Sequence, residues 1–204
     1  HAMPGMLKEL GENAKKALKE LRLAHGAVRT LGTPRRLALV VEGLAEKQED
    51  VAEEKRGPSV QVAFDAAGKP TKAAEGFARG QGLKAQDLVV RDGYVYALVE
   101  EKGESAEKVL AKMLPELISG LPLPNSMRWG DLDFRFIRPI RWIVALYGTE
   151  VVPFTLANVT SGNTSRGHRT LSPQDFVISS PADYEAACEK AYIIVDQERR
   201  RAMI

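Results

Sequence analysis

Four arginines and both tryptophans of the chain fall between Met127 and Trp142. A guanidinium keeps its charge at any working pH and offers a planar fork of donors that fits a phosphate or a carboxylate. In this stretch Phe134, Phe136, Ile140 and Trp142 recur at every second residue, while Arg135 and Arg141 fill alternate places. That spacing predicts a half-buried strand with a basic outer face. Pro139 donates no ladder hydrogen bond and pushes Arg138 towards an extended conformation, so a strand edge or a bulge is expected there. Arg128, Arg135, Arg138 and Arg141 are therefore candidates for phosphate contact. The competing reading is local pairing with Asp131, Asp133 or other acids, since surface ion pairs are common and weak.

A second basic group is Arg166, His168 and Arg169 in Ser165-Arg166-Gly167-His168-Arg169, which closes a stretch from Asn158 rich in Ser, Thr, Gly and Asn. The composition predicts a polar loop beside a sheet, a place where anions bind. His168 has the chemistry of an acid or base near neutral pH. No serine, cysteine or acid is spaced to form a nucleophile–base pair with it, which favours a hydrogen-bonding role. Arg35 and Arg36 stand at a strand entrance, either to meet phosphates or to cap a neighbouring helix through its C-terminal carbonyls. Lys69, Lys72 and Arg79 rim a short helix and are secondary candidates for phosphate contact, although a solvated helix face accounts for them more simply. Tyr94 and Tyr96 share one strand face, where they either stack a base or serve as cross-strand residues.

The motifs that hold these residues resemble a known family. Met127-Arg128-Trp129-Gly130 followed by Phe136-Ile137-Arg138-Pro139-Ile140-Arg141-Trp142 is similar to the N-terminal region of the beta subunit of the bacterial heterotetrameric glycyl-tRNA synthetase. Thr33-Pro34-Arg35-Arg36-Leu37-Ala38, Glu54-Lys55-Arg56-Gly57-Pro58, the run from Gly68 to Arg79, and Ser165 to Arg169 match in the same order. The resemblance implies a part of glycine–tRNA ligase that supports tRNA binding and assembly of two alpha and two beta subunits. It places ATP-dependent glycine activation, with its ATP and magnesium, on the alpha subunit, and implies no cofactor in this piece. The implied partners are the alpha subunit, glycine tRNA and the remainder of the beta subunit. A purely structural interaction module is the alternative, and a deacylase-like editing domain using His168 a third.

The 204 residues are 44% hydrophobic and 27% charged, ordinary for a soluble globular chain that forms one large domain or two small ones. A net charge of +2 is too mild to argue for nucleic acid, so only local clustering can carry that argument. The single cysteine, Cys188, excludes an internal disulfide and reads as a buried helix residue. No Cys/His set has zinc spacing, and no glycine loop of a nucleotide-binding type is present. No apolar run approaches the roughly 20 residues of a membrane span, so a cytoplasmic protein without membrane contact is expected. His1-Ala2-Met3 resembles a tag-cleavage scar. The helical pattern opened by Gln197 stops at Ile204, and the chain is expected to be a fragment of under a third of a subunit.

The elements that must position these residues follow from periodicity. Apolar residues at Leu7, Leu10, Ala14, Ala17, Leu18 and Leu21 predict a helix over 6–23, ended by His25-Gly26. Ala27–Leu31 leads to a strand over 37–41. Residues 45–55 read as a charged linker, and Arg56-Gly57-Pro58 as a turn. A helical insertion is expected over 69–83, and a hairpin over 87–100 around Asp92-Gly93. A helix over 105–119 begins at Ser105 as N-cap. A second hairpin turns at Gly148-Thr149 and extends the arginine-bearing strand into a sheet. Strands over 176–178 and 192–196 flank a helix from Tyr184 to Ala191, and Arg199, Arg200 and Arg201 lie on a final helix surface. The pattern is α+β: mostly antiparallel sheets with flanking helices and more than one small subdomain. The expected divisions are 4–121, 122–172 and 173–204.

Overall fold

Helix α1, Met3–Glu20, opens the computed structural model, which describes residues 3–204. Its stripe of Leu7, Leu10, Ala14 and Leu18 is buried, as the spacing requires. The helix ends three residues earlier than expected and without the glycine at position 26. Arg22 takes φ 56°, its N–H meets the Lys19 carbonyl, and the Leu23 N–H reaches back to Leu18 at 2.9 Å. This is a Schellman closure on a non-glycine residue, sealed by the fully buried Leu23. Met3, set aside with the scar, is helical, whereas His1 and Ala2 lie outside the described residues.

Strands β1, Val28–Thr33, and β2, Arg36–Val41, pair antiparallel with Thr33 opposite Arg36. The two-residue period divides β2 between two cores. Leu37, Leu39 and Val41 pack against the α1 cluster, while Ala38 and Val40 join Leu31, Cys188, Ile193 and Val195 on the other face. Arg36 shares that second face, and the site depends on this phase.

Residues 49–103 form a separate unit. It contains β3 (Val51–Ser59), α2 (Val60–Ala63), α3 (Lys72–Gly80), β4 (Val89–Arg91) and β5 (Tyr94–Glu101), with the sheet ordered β3-β5-β4. The expected linker and the Arg56-Gly57-Pro58 turn are both replaced by β3. Its register shifts between Arg56 and Ser59, which takes Gly57 and Pro58 out of the ladder and lets a strand hold both. Gly57 is also where Phe77 of α3 packs, since a Cβ there would lie 2.5 Å from the ring. The Asp92-Gly93 turn is as expected, with φ 51° and 77° at its two residues. Ala63, Ala74 and Val95 form the small core of this unit.

The chain returns to the first unit, residues 1–48 and 104–204, through α4, Ala106–Ser119. Val109, Leu110, Met113 and Leu117 pack with Leu10, Ala14 and Leu18 of α1 in the largest core. Ser105 holds the N-cap position but its side chain makes no capping bond. Short strands follow: β6 (Met127–Arg128), β7 (Arg135–Phe136), β8 (Ile143–Val144), β9 (Leu146–Tyr147), β10 (Glu150–Val151), β11 (Thr155–Leu156), β12 (Val159–Gly162), β13 (Thr164–Arg166) and β14 (Asp175–Val177). The strand expected across 134–142 is reduced to the two residues of β7, and 137–142 is irregular around Pro139. Its alternation survives: Phe136, Ile140 and Trp142 are half-buried while Arg135, Arg138 and Arg141 are exposed.

The hairpin of β9 and β10 turns at Gly148, φ 60°, as expected. β8 instead pairs with β12, and in parallel. The loop expected over 158–169 is another correction, because β12 and β13 occupy most of it. Its serines point inward: Ser165 is buried, and the buried Ser161 hydroxyl donates to the Val152 carbonyl and accepts from the Phe154 N–H. Satisfied inward hydroxyls let a polar strand run through the interior.

Helices α5, Tyr184–Lys190, and α6, Gln197–Ala202, complete the unit, with Cys188 fully buried on α5. The segment 192–196 joins no ladder. Tyr192 sits at φ 60°, and the Val195 carbonyl accepts one bond from Gly32, enough to seat Ile193 and Val195 in the core. The architecture is α+β with small, mostly antiparallel sheets. The expected divisions at 122 and 173 both fall inside the first unit.

Candidate nucleic-acid interface

Three segments distant in sequence meet at the Trp142 indole. The Arg36 guanidinium lies 5.3 Å from the ring centre and that of Arg166 lies 5.7 Å from it, both within the range of cation–π attraction. Arg36 Nη2 also donates to the main-chain carbonyl of Arg166, a residue 130 positions away. The phase of β2 causes this arrangement. It turns Arg36 to the same side as Ala38 and Val40, towards Tyr184 and Cys188, so the guanidinium is half-buried at the margin of the second core.

Burial has electrostatic consequences. Desolvation lowers the Arg36 pKa from its ordinary value, although a guanidinium stays charged at neutral pH. The same burial pushes the Tyr184 phenol and the Cys188 thiol up, so both are neutral. No carboxylate pairs with Arg36 among the described residues, and its Nε–H is buried without a partner. Arg166 differs, because its rung partner on β14, Asp175, stands 3.5 Å from its Nε.

The arginines of 127–142 divide into two sorts. Arg128 and Arg135 are opposite one another on β6 and β7, and each has a local partner: Asp133 at 3.5 Å for Arg128, and the Ser126 carbonyl at 3.2 Å for Arg135. Trp129 ties the same pair of strands by donating to the Phe136 carbonyl at 2.9 Å, and the rings of Phe134 and Phe136 stack at 5.9 Å. Arg138 and Arg141 are exposed and make no hydrogen bond or ion pair among the described residues. Arg169 is in the same condition.

Around Arg166 the chain is tightly folded. Gly167 N–H reaches the Gln174 carbonyl, Ser172 N–H reaches the His168 carbonyl, and a Cβ on Gly167 would fall 2.0 Å from the Ser172 oxygen. Only glycine fits. His168 Nδ1 accepts from the N–H groups of Thr170 and Leu171 at 3.2 and 3.1 Å, which assigns the ring proton to Nε2. Its main-chain N–H binds the Ala191 carbonyl. The histidine thus organises the turn that presents Arg169.

Neither Arg35 nor Arg36 caps a helix, a correction to one reading of that pair. Arg35 is exposed in the hairpin turn, with its N–H on the Thr33 hydroxyl, and Arg36 is spent on a strand carbonyl and the indole. Lys69, Lys72 and Arg79 belong to the 49–103 unit, where all three are exposed without ion pairs among the described residues. On α6, Arg199 forms a two-pronged contact with Glu189, Arg201 meets Glu198, and Arg200 donates to the Ile194 carbonyl, as befits a helix surface with acidic neighbours.

Two features are not evident from the sequence pattern. Trp142 reads there only as an apolar member of an alternation, although it is the centre on which the Arg36 and Arg166 motifs converge. Arg56 and Arg91 lie over Tyr94 and Tyr96 at 3.6 and 5.0 Å from the ring centres. The Asp92-Gly93 turn is the available signal for the second, since it fixes Arg91 opposite Tyr94.

The family model of the glycyl-tRNA synthetase beta subunit matches residues 1–204. The chain belongs to this family. It is 50% identical over 205 residues to the glycine--tRNA ligase beta subunit of Desulfitobacterium hafniense (strain DSM 10664 / DCB-2), covering 98% of the chain and 30% of that relative. The beta subunit of Desulforamulus reducens is 48% identical over 202 residues (97% of the chain, 29% of the relative), and that of Geobacter metallireducens 46% over 206 residues (99% and 30%). The chain therefore spans under a third of the length of these beta subunits, and all five arginine- and glycine-bearing motifs lie in the matched part. No described helix is long and apolar enough to cross a membrane.

Proposed function

We propose that this part of the beta subunit supports tRNA binding and the assembly of two alpha with two beta subunits, and so serves glycyl-tRNA synthesis in the cytoplasm. It acts without a catalytic centre of its own, glycine activation with ATP and magnesium being the work of the alpha subunit. The observation that carries the reading is the set of guanidiniums without an acidic partner. Arg138, Arg141 and Arg169 are exposed and unpaired among the described residues, and Arg36 is half-buried with no carboxylate. Charge left without an acidic partner suits an anion brought by another molecule.

The test is binding of glycine tRNA to the protein across a salt series, with and without the alpha subunit. Phosphate neutralisation releases counterions, so the logarithm of affinity is expected to fall steeply with that of salt, by roughly 0.7 to 0.9 per neutralised phosphate. Absence of binding at low salt by the folded protein overturns the tRNA reading. A purely structural role is favoured by one observation: Arg128 and Arg135 are already engaged within the chain. Capture of the alpha subunit without tRNA affinity is its expected signature.

A further inference from the structure

We propose that the open face of the 49–103 sheet binds unpaired RNA nucleotides, with Tyr94, Tyr96 and the guanidinium of Arg56 as the stacking surface. The inference rests on the reading of the chain as part of a tRNA-binding subunit, and gives that reading a second site.

β5 is the central strand of the sheet, so its side chains face a full surface on each side. Val95 and Ala97 are fully buried, Val95 against α2 and α3. Tyr94, Tyr96 and Leu98 point the other way. Leu98 is 50% exposed there and Val89, opposite Tyr96 on β4, is 41% exposed. Tyr94 and Tyr96 are themselves half-exposed, and an aromatic pair at i and i+2 on a central strand is the arrangement on which splayed bases stack.

The arginines sharpen the choice of occupant. Arg56 is paired in register with Tyr96 and Arg91 with Tyr94, yet each guanidinium reaches diagonally to the other ring. Arg91 is neutralised by Glu54 at 2.6 Å. Arg56, over the Tyr94 ring at 3.6 Å, has no carboxylate partner among the described residues. The face thus offers planar stacking surface and one uncompensated positive charge in the same few ångströms. A nucleotide carries both complements, a π face and a phosphate. A peptide needs an aromatic and an acidic residue in fixed relation to do the same, so the observations favour RNA. Duplex RNA keeps its bases stacked on each other, which restricts the ligand to unpaired nucleotides.

The experiment measures affinity of the protein for glycine tRNA and for a labelled single strand of roughly ten unpaired ribonucleotides. Tyr94→Ala and Tyr96→Ala are each expected to weaken single-strand binding roughly tenfold or more, and Tyr94→Phe and Tyr96→Phe to leave it unchanged, with folding checked by circular dichroism. Tyr96→Leu, which keeps apolar area without a ring, should behave like the alanine variant. If leucine restores what alanine loses, the face docks an apolar protein segment and the inference is overturned. Tight tRNA binding that is indifferent to all these changes overturns the inference alone. Absence of binding to either RNA overturns it together with the tRNA reading.

Discussion

Arginines meet aromatic rings in both units of the chain, but by opposite routes. In residues 49–103 a hairpin brings Arg91 to the tyrosines over a few residues, and Glu54 on β3, reaching across the central β5, neutralises it. At Trp142 the two guanidiniums come from residues 130 positions apart, and Arg36 arrives half-buried with no acid to meet it. Each cluster thus pairs one arginine with an acid, Arg91 with Glu54 and Arg166 with Asp175, and leaves one without, Arg56 and Arg36. The difference lies in burial: Arg56 is exposed on its strand, whereas Arg36 is half-buried where three distant segments meet.

The comparison can be strained first at the backbone. Gly167→Ala would press a methyl group into the Ser172 carbonyl, an atom that only a main-chain shift can move. It is expected to cost about 3 kcal/mol or more, read as a large fall in the midpoint of chemical denaturation. Gly57→Ala meets the Phe77 ring instead, and a ring can turn. A smaller loss of about 1–3 kcal/mol, confined in hydrogen exchange to residues 49–103, is expected.

The aromatic centres come next. Trp142→Ala removes the ring shared by both arginines and should destabilise by about 2 kcal/mol, with Trp142→Phe nearer to 1. Equal stabilities for the alanine and phenylalanine variants would show that the indole is not a packing centre. Arg36→Met should cost less than either, within about 1 kcal/mol of the parent in thermal unfolding. The sign follows from the pKa direction. Burial disfavours the charged form, so below the ordinary guanidinium range the charge itself opposes folding, and methionine removes that opposition along with one hydrogen bond.

The smallest effect is expected on α6. Hydrogen bonding to Arg199 holds the exposed Glu189 carboxyl below its usual value. A depressed carboxylate stabilises the fold above its unfolded pKa and loses that contribution as pH falls through the folded one. Glu189→Gln should therefore change thermal stability slightly at neutral pH and converge with the parent in acid, with high salt shrinking the difference. A difference that grows in acid would contradict the pairing.

Much of the fold is written in short-range pattern. Helices α1, α3 and α4 follow apolar spacing, and the turns at Asp92-Gly93 and Gly148 follow from residues that tolerate positive φ. The failures share a cause. β3 is strongly charged, and β12 and β13 are rich in serine and threonine, so composition argues for loops, while a register shift and inward hydroxyl bonds decide for strands. Pro139 breaks the strand expected through the arginines, although their outward alternation is legible. The candidate residues can be named from sequence. Which of them are already engaged cannot, because the partners of Arg128 and Arg135 depend on a β6–β7 pairing that the alternation does not suggest, and the place of Arg36 depends on residues drawn from most of the chain.

Engaged and unengaged arginines should therefore behave differently towards RNA, and one measurement addresses that difference directly. Glycine tRNA affinity over a salt series would be compared for two double variants, Arg138→Ala with Arg141→Ala and Arg128→Ala with Arg135→Ala, each confirmed to be folded. The account predicts that the first pair lowers affinity and flattens the salt slope by roughly 0.7 to 0.9 for each phosphate no longer neutralised, while the second leaves the slope unchanged. A slope unaltered in the first pair and reduced in the second would contradict it.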